Sequence, residues 1–309
     1  MEKNSKMLKN NIVKDSFMAW ILAARPKTLS GAAVPVMIGV ALAYKDSLAY
    51  EGRPFSWVAA GLCLLFAWIM QVDANFINDF FDYAKGTDNV STRLGPRRAC
   101  ASGWVSIDKM KHAIAFTTCL AAVAGLPLVY YGGLEMILIG LLCMVFCFLY
   151  TTHLSYVGMG DLLVVAFFGV VPICICYYIQ LHTVSTFVFL ASVACGFVVD
   201  TLLVVNNFRD RDTDRIAGKD TLVVKIGERA ALQFYLSLGL GACIMGISYW
   251  THGMMLATIL PGVYLMFHYY TYMRIKRIFR GKALNLCLGN TARNIFIYGV
   301  MVTVGILLS

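Results

Sequence analysis

The sequence predicts an all-α integral membrane protein with nine transmembrane helices, and three observations carry that expectation. The 309 residues are 59% hydrophobic and only 14% charged, with mean hydropathy +0.71. A soluble domain is typically about half apolar and about a quarter charged, so this chain has too little polar surface for a soluble globule. Apolar runs of about 17–25 residues, long enough to cross a bilayer, recur along the whole length. Finally, the basic residues gather in the connections that nine spans would place on one side, which is the pattern of a polytopic membrane protein.

The expected spans are 29–44, 57–77, 112–131, 134–152, 162–180, 184–205, 231–250, 254–273 and 292–308. Gly31 and Pro35 interrupt the first, and Pro26 precedes it, so the stretch from Phe17 to Tyr44 is expected to bend, with a lead-in lying on the surface. Four basic groups of six residues account for 24 of the 26 Lys and Arg. They fall in the amino-terminal segment, in connection two-to-three (Lys85 to Lys111), in connection six-to-seven (Arg209 to Arg229) and in connection eight-to-nine (Arg274 to Arg293). Positive charge stays cytoplasmic. The expectation is therefore one polytopic domain, 1–309, in the cytoplasmic (inner) membrane, with its amino terminus on the cytoplasmic side.

The net charge of +9 then needs no nucleic acid partner, since the same basic groups meet anionic headgroups of membrane lipid. "FMAWILAA" is too short and too closely followed by Arg25 and Lys27 to read as a cleaved signal. The ten cysteines lie mostly inside spans without ligand spacing, and the five histidines are dispersed, so no soft-metal site is expected.

The chemistry is expected where spans two and six end. "NDFFD" at 78–82 and "NNFRD" at 206–210 share Asn-x-Phe-x-Asp, 128 residues apart, which divides the chain into two four-helix halves plus a ninth helix. At 100° per residue, Gln71, Asn75, Asn78 and Asp82 lie within about 60° of one another on a helix, as do Asn207, Asp210 and Asp214. Asp79 flanks the first stripe, Asp73 faces away, and Asp200 continues the second. Gly86 is expected to end the first helix and let Asp88 fold back toward Asp82.

Like charges four residues apart repel, and acids beside lipid are costly, so counter-cations are expected. Oxygen-only donors without His or Cys suit Mg²⁺, which shares its shell with substrate phosphates. Asn78, Asp82, Asp88, Asp210 and Asp214 are the candidate metal ligands, with Lys85, Arg97, Arg209 and Lys219 as candidate diphosphate contacts. Alternating charge such as "RDRDTDR" also suits a solvated helix end, and acids in a membrane also serve ion-coupled transporters, so both readings stay open at this point.

The stretches "ARPKTLSGAAVPVMIG", "NDFFDYAKGTD", "RLGPRRACASG", "GMGDLLVVAFFG" and "NNFRDRDTDRIAGKDTLVVKIG" resemble the UbiA superfamily of intramembrane aromatic prenyltransferases. Within it they are most similar to the branch acting on 1,4-dihydroxy-2-naphthoate. The resemblance implies two four-helix bundles plus one helix around a central cavity, a polyprenyl diphosphate donor, and an aromatic acceptor alkylated with loss of CO₂ to give a demethylmenaquinol. Other ring acceptors, 4-hydroxybenzoate or homogentisate, are the alternative. It implies that Asn78, Asp82 and Asp88 of the first motif and Asn207, Asp210 and Asp214 of the second hold Mg²⁺-diphosphate, with catalytic roles for Asn78, Asp82, Asp210 and Asp214, and it matches Lys219 to a family lysine. Tyr150, Tyr156 and Asp161 then belong to the substrate pocket, with Asn75 and Asn207 beside them on the aromatic-substrate side, although "YTTHLSYVGMGD" departs from the family's usual Gly- and Pro-rich form.

Overall fold

The computed structural model describes residues 12–48, 54–86 and 93–309, and no strand occurs among them. Seven helical segments are long and apolar enough to cross a membrane: Phe17–Ser47, Trp57–Ala84, Glu135–Leu154, Gly160–Leu181, Thr186–Ile216, Leu222–Thr251 and Leu284–Leu308. The expected spans 112–131 and 254–273 are also mostly helical, with turns at 126–127 and at Leu260, but they fall outside those seven. The first begins in Ile107–Gly125, whose opening turns carry Asp108, Lys109, Lys111 and His112. The second ends in Pro261–Ile278, which places His268 mid-helix and Arg274, Lys276 and Arg277 at its end. Polar residues inside these two helices lower their apolarity without breaking them.

The elements, in chain order, are α1 (Phe17–Ala24), α2 (Leu29–Ser47), α3 (Trp57–Ala84), α4 (Ile107–Gly125), α5 (Leu128–Gly132), α6 (Glu135–Leu149), α7 (Gly160–Val165), α8 (Val171–Leu181), α9 (Thr186–Ile216), α10 (Leu222–Met245), α11 (Ser248–Thr251), α12 (Met255–Ile259), α13 (Pro261–Ile278) and α14 (Leu284–Leu308). Hydroxyl side chains start several of them. Ser16, Ser56, Ser185 and Thr221 each accept a hydrogen bond from the backbone N–H three residues on, satisfying a donor that the first turn leaves open.

The bend expected near the amino terminus is present. Arg25 adopts a left-handed conformation at φ 50°, a 3-10 turn covers Pro26–Thr28, and α2 then runs through Pro35. Helix α3 ends at Ala84, with Gly86 at φ 70°, a conformation that glycine adopts without steric cost. Two π-helical turns, Tyr150–Leu154 and Ala166–Val170, widen the chain on either side of α7.

The chain runs from end to end of the molecule, and its connections cluster by sequence parity. At one end, Asp15 accepts from Ser106 N–H and Lys85 Nζ donates to the Thr152 carbonyl. There too, Asp220 N–H donates to the Tyr156 carbonyl, and Asn285 Nδ2 donates to the Leu94 carbonyl. At the other end, Gln180 exchanges two hydrogen bonds with Ser56, and Leu256 N–H meets the hydroxyl of Ser309. The first end holds described basic residues of these connections, among them Lys85, Arg98, Lys109 and Lys219. Helix α9 is the most enclosed of the seven long apolar segments, and it packs on α7, α8, α10 and α14. The main core surrounds it, from Val34, Ile38 and Leu42 on α2 to Tyr298 and Val302 on α14.

Candidate functional site

The polar face expected on α3 forms, and its residues divide between support and site. Asp73, which points away from that face, accepts from Thr117 at 2.5 Å and from Thr118 at 2.9 Å, locking α3 to α4. Asn75 uses its amide to donate to the Ala24 carbonyl and to Thr28 Oγ1, both at 2.9 Å. It therefore fastens the amino-terminal bend, and those bonds occupy the amide hydrogens assigned from sequence to the aromatic-substrate side. Asn78 Oδ1 accepts from Thr151 Oγ1 at 2.7 Å, which ties α3 to the π-turn at Tyr150.

Asp79 has a role that periodicity did not reveal. Its two carboxylate oxygens accept the backbone N–H groups of Ala99 and Cys100 at 2.8 and 2.9 Å, and Arg25 stands 4.0 Å away. This grip holds the following connection against the end of α3. It also presents Arg98, whose Nη2 donates to Asp82 Oδ2 at 2.7 Å. Arg97, the sequence candidate, is exposed, and its neighbour Arg98 meets Asp82. Asp88 lies outside the described residues.

The second motif is arranged differently from its helical-wheel expectation. Arg209, about 100° off the Asp face by periodicity, folds back along the helix. Its Nε and Nη2 grip the Asp210 carboxylate at 2.8 and 2.5 Å, while Asn206 and Asn285 accept two further protons and, among the described residues, leave one Nη1 proton over. Arg211 turns the other way and is buried against Glu228 and the carbonyls of Phe208 and Phe279. The alternating charges of "RDRDTDR" are therefore not a uniformly solvated strip, since Arg209 and Arg211 are each only 2% exposed. Asn207 is buried on the same face as Asp210.

The two motifs converge at the basic end. Asp214 lies within electrostatic reach of Lys219, Asp210, Asp82 and Arg209, the first at 4.0 Å from its Oδ1, and its Oδ2 has no hydrogen-bond partner among the described residues. Lys85 and Lys219 flank the aromatic ring of Tyr156, with Nζ atoms 4.1 and 5.8 Å from its centroid. Burial pulls the Lys85 ammonium below its usual pKa; the nearby Asp82 opposes that shift and Lys219 adds to it. The Tyr150 hydroxyl is within electrostatic reach of Asp161, Asp200, Asp82 and Arg98, so the four-to-five connection roofs the same region.

Among the described residues, no three His, Cys, Asp or Glu side chains stand close enough to hold a metal ion by themselves. The donors at the rim are nevertheless all oxygen, and one of them, Asp214 Oδ2, is buried without a partner. That set fits Mg²⁺ in kind, because Mg²⁺ takes one or two carboxylates and completes its shell with water and phosphate. Arg98 and Arg209 pair with Asp82 and Asp210 in this arrangement and hold the carboxylates in place.

The sequence pattern of the UbiA prenyltransferase family matches residues 32–287. A 1,4-dihydroxy-2-naphthoate octaprenyltransferase of Escherichia coli is 33% identical over 235 residues, covering 73% of this chain and 74% of the relative. Among solved structures, a UbiA homolog from Aeropyrum pernix superimposes with a TM-score of 0.67 at 15% identity, covering 90% of this chain and 97% of that one. A UbiA homolog from Archaeoglobus fulgidus, bound to GPP and Mg²⁺, gives 0.63 at 15% identity, covering 93% and 99%. The helical architecture and the extent of the sequence match agree, and the chain belongs to the UbiA prenyltransferase family.

Proposed function

We propose that the protein transfers a polyprenyl group from polyprenyl diphosphate to 1,4-dihydroxy-2-naphthoate, with loss of CO₂, giving a demethylmenaquinol. The observation that carries the reading is the meeting of Asp82 with Asp210 and Asp214 at a rim lined by Lys85, Arg98, Arg209 and Lys219. A diphosphate needs concentrated positive charge, and carboxylates amid those cations are ligands for a bridging metal. The E. coli relative supports the choice of donor and acceptor, and the A. fulgidus structure supports Mg²⁺.

In this reading Asn78, Asp82, Asp88, Asp210 and Asp214 hold Mg²⁺. Bound there, Mg²⁺ neutralises charge on the diphosphate and makes it a better leaving group. Lys85, Arg98, Arg209 and Lys219 add charge-assisted hydrogen bonds whose strength grows as negative charge develops on the departing oxygen. The C–O bond to the allylic carbon breaks, and the ring carbon bearing the carboxylate forms the new C–C bond. CO₂ leaves, and the electrons of its bond return to the ring. The faces of Tyr150 and Tyr156 line the region where positive charge passes along the allylic group, and aromatic faces stabilise cations while excluding water.

The polyprenyl tail lies between helices and extends into lipid, with the diphosphate at the cytoplasmic rim. The end-to-end alternation of connections supports nine crossings, and the amino terminus then lies on the cytoplasmic side with the basic groups. The test is to offer purified protein one polyprenyl diphosphate with 1,4-dihydroxy-2-naphthoate, 4-hydroxybenzoate or homogentisate and to identify products by mass spectrometry. The expected result is one decarboxylated product, from the naphthoate. Product from another ring acid would replace the acceptor assignment, and no product from any would overturn the enzymatic reading.

A further inference from the structure

Below the rim lies a second acidic feature that the diphosphate chemistry does not use. Asp161, at the start of α7, is 6% exposed, and Asp200, within α9, is 1% exposed. None of their four carboxylate oxygens accepts a hydrogen bond from another described residue. Two buried, unpaired acids are costly, since each charge taken from water must find compensation.

Their closeness follows from packing. A side chain added at Gly169 would stand 2.5 Å from the Ser192 carbonyl oxygen and 2.6 Å from Gly196 Cα. One added at Gly196 would stand 2.9 Å from Val165 Cα. The segment carrying α7 and helix α9 thus cross backbone to backbone, running in opposite directions. Each turn back along one meets a turn forward along the other, so Ser192 faces Gly169 and Gly196 faces Val165. One turn further, Asp161 faces Asp200. The Asp161 charge is indeed part of the environment of Asp200. The pair lies toward the middle of α9, about two turns or roughly 10 Å along the axis from Asn207.

We infer that the Asp161–Asp200 pair recognises the hydroxyl groups of the ring acceptor, and so fixes which end of the ring enters first. The inference rests on the aromatic-acceptor reading given above. Two buried acids this close share a proton, and the oxygens left without partners accept hydrogen bonds, so a ligand end that carries donors satisfies them. A ring carboxylate would meet the negative charge that remains on the pair and is turned away, toward the cationic rim. A ring hydroxyl donates to the pair, gains electron density by doing so, and is held facing away from the diphosphate. The Tyr150 hydroxyl is within electrostatic reach of both Asp161 and Asp200 and of Asp82. Selection against rings lacking hydroxyls follows, because an analogue without them leaves the buried acids unpaired.

The test compares acceptor binding with donor binding on the full chain in detergent. The probes are 1,4-dihydroxy-2-naphthoate, its dimethyl ether and a polyprenyl diphosphate, with affinities read by calorimetry in the presence of Mg²⁺. For the wild-type protein, the dimethyl ether is expected to bind at least about tenfold more weakly than the diol, the size of discrimination expected when buried acceptors are left unpaired. Asp161→Asn and Asp200→Asn are each expected to weaken diol binding about tenfold, to leave ether binding within twofold, and to leave polyprenyl diphosphate binding within twofold. Equal binding of diol and ether by wild type would overturn the inference, and that arm needs no variant to fold. Parallel loss of donor and acceptor affinity in both variants would overturn it as well. If wild type binds the donor and makes product yet fails these comparisons, the acceptor-orientation inference alone falls. If it binds neither probe, the function proposed above falls first.

Discussion

Asp79 carries no metal in the account above, yet its removal should disable the site. Its side chain is 1% exposed, and it accepts two backbone N–H bonds at 2.8 and 2.9 Å from Ala99 and Cys100, which are themselves buried. Hydrogen bonds to a charged acceptor contribute about 1.5–3 kcal/mol each, and donors left buried without partners cost a similar amount. Asp79→Ala should therefore destabilise the protein by about 3–6 kcal/mol. Asp79→Asn keeps one acceptor oxygen and should cost about half as much. The same substitutions release the connection that presents Arg98 to Asp82, so polyprenyl diphosphate affinity should fall in the order wild type, Asn, Ala. The assay is denaturant unfolding in detergent followed by tryptophan fluorescence, with Trp104 reporting on the same connection through its hydrogen bond to the Ala99 carbonyl. If Asp79→Ala unfolded within about 0.5 kcal/mol of wild type, the size of an ordinary surface change, the claim that this carboxylate holds the connection in place would be refuted.

Three further outcomes are expected. Lys85→Met removes the donor to the Thr152 carbonyl and the cation over Tyr156, and should weaken polyprenyl diphosphate binding about tenfold, equivalent to about 1.4 kcal/mol, with little change in the unfolding midpoint. Gly169→Ala forces a methyl group against the Ser192 carbonyl and Gly196, and should cost about 1–3 kcal/mol in the same unfolding assay while lowering acceptor affinity. Asp15 is held below its usual pKa by the Ser106 N–H and by Lys109, so its contribution to stability is present above its unfolded pKa and is lost as pH falls through its lower folded value. The unfolding midpoint of wild type should therefore drop below about pH 4 by more than that of Asp15→Asn, and parallel pH profiles would remove that role.

Residues whose position follows from helical periodicity were legible in the sequence, and residues placed by irregular backbone were not. The faces through Asn78 and Asp82, and through Asn207, Asp210 and Asp214, needed only 3.6 residues per turn. The stop at Gly86 needed only the conformational freedom of glycine. By contrast, the contact of Arg98 with Asp82 comes from backbone that is neither helix nor strand, and no period predicts which side chain turns inward there. The grip of Asp79 on two backbone N–H groups depends on the same connection. Asn75 sat on the right face, but that face also packs against the bend at Ala24, and packing claimed its amide. Arg209 shows a different limit, since a long side chain reaches across the 100° that separates it from Asp210 on a helical wheel. Asp161 entered through family resemblance alone, and its opposition to Asp200 required the glycine-mediated crossing to be seen.

The most direct measurement of the central claim is electron–nuclear double resonance with Mn²⁺ replacing Mg²⁺ and polyprenyl diphosphate added to the purified protein. The account predicts phosphorus hyperfine coupling to the bound ion in wild type, and loss of that signal in Asp82→Ala and in Asp210→Ala while both variants remain folded. Undiminished coupling in either variant would contradict the claim that the two motifs jointly hold the metal against the diphosphate.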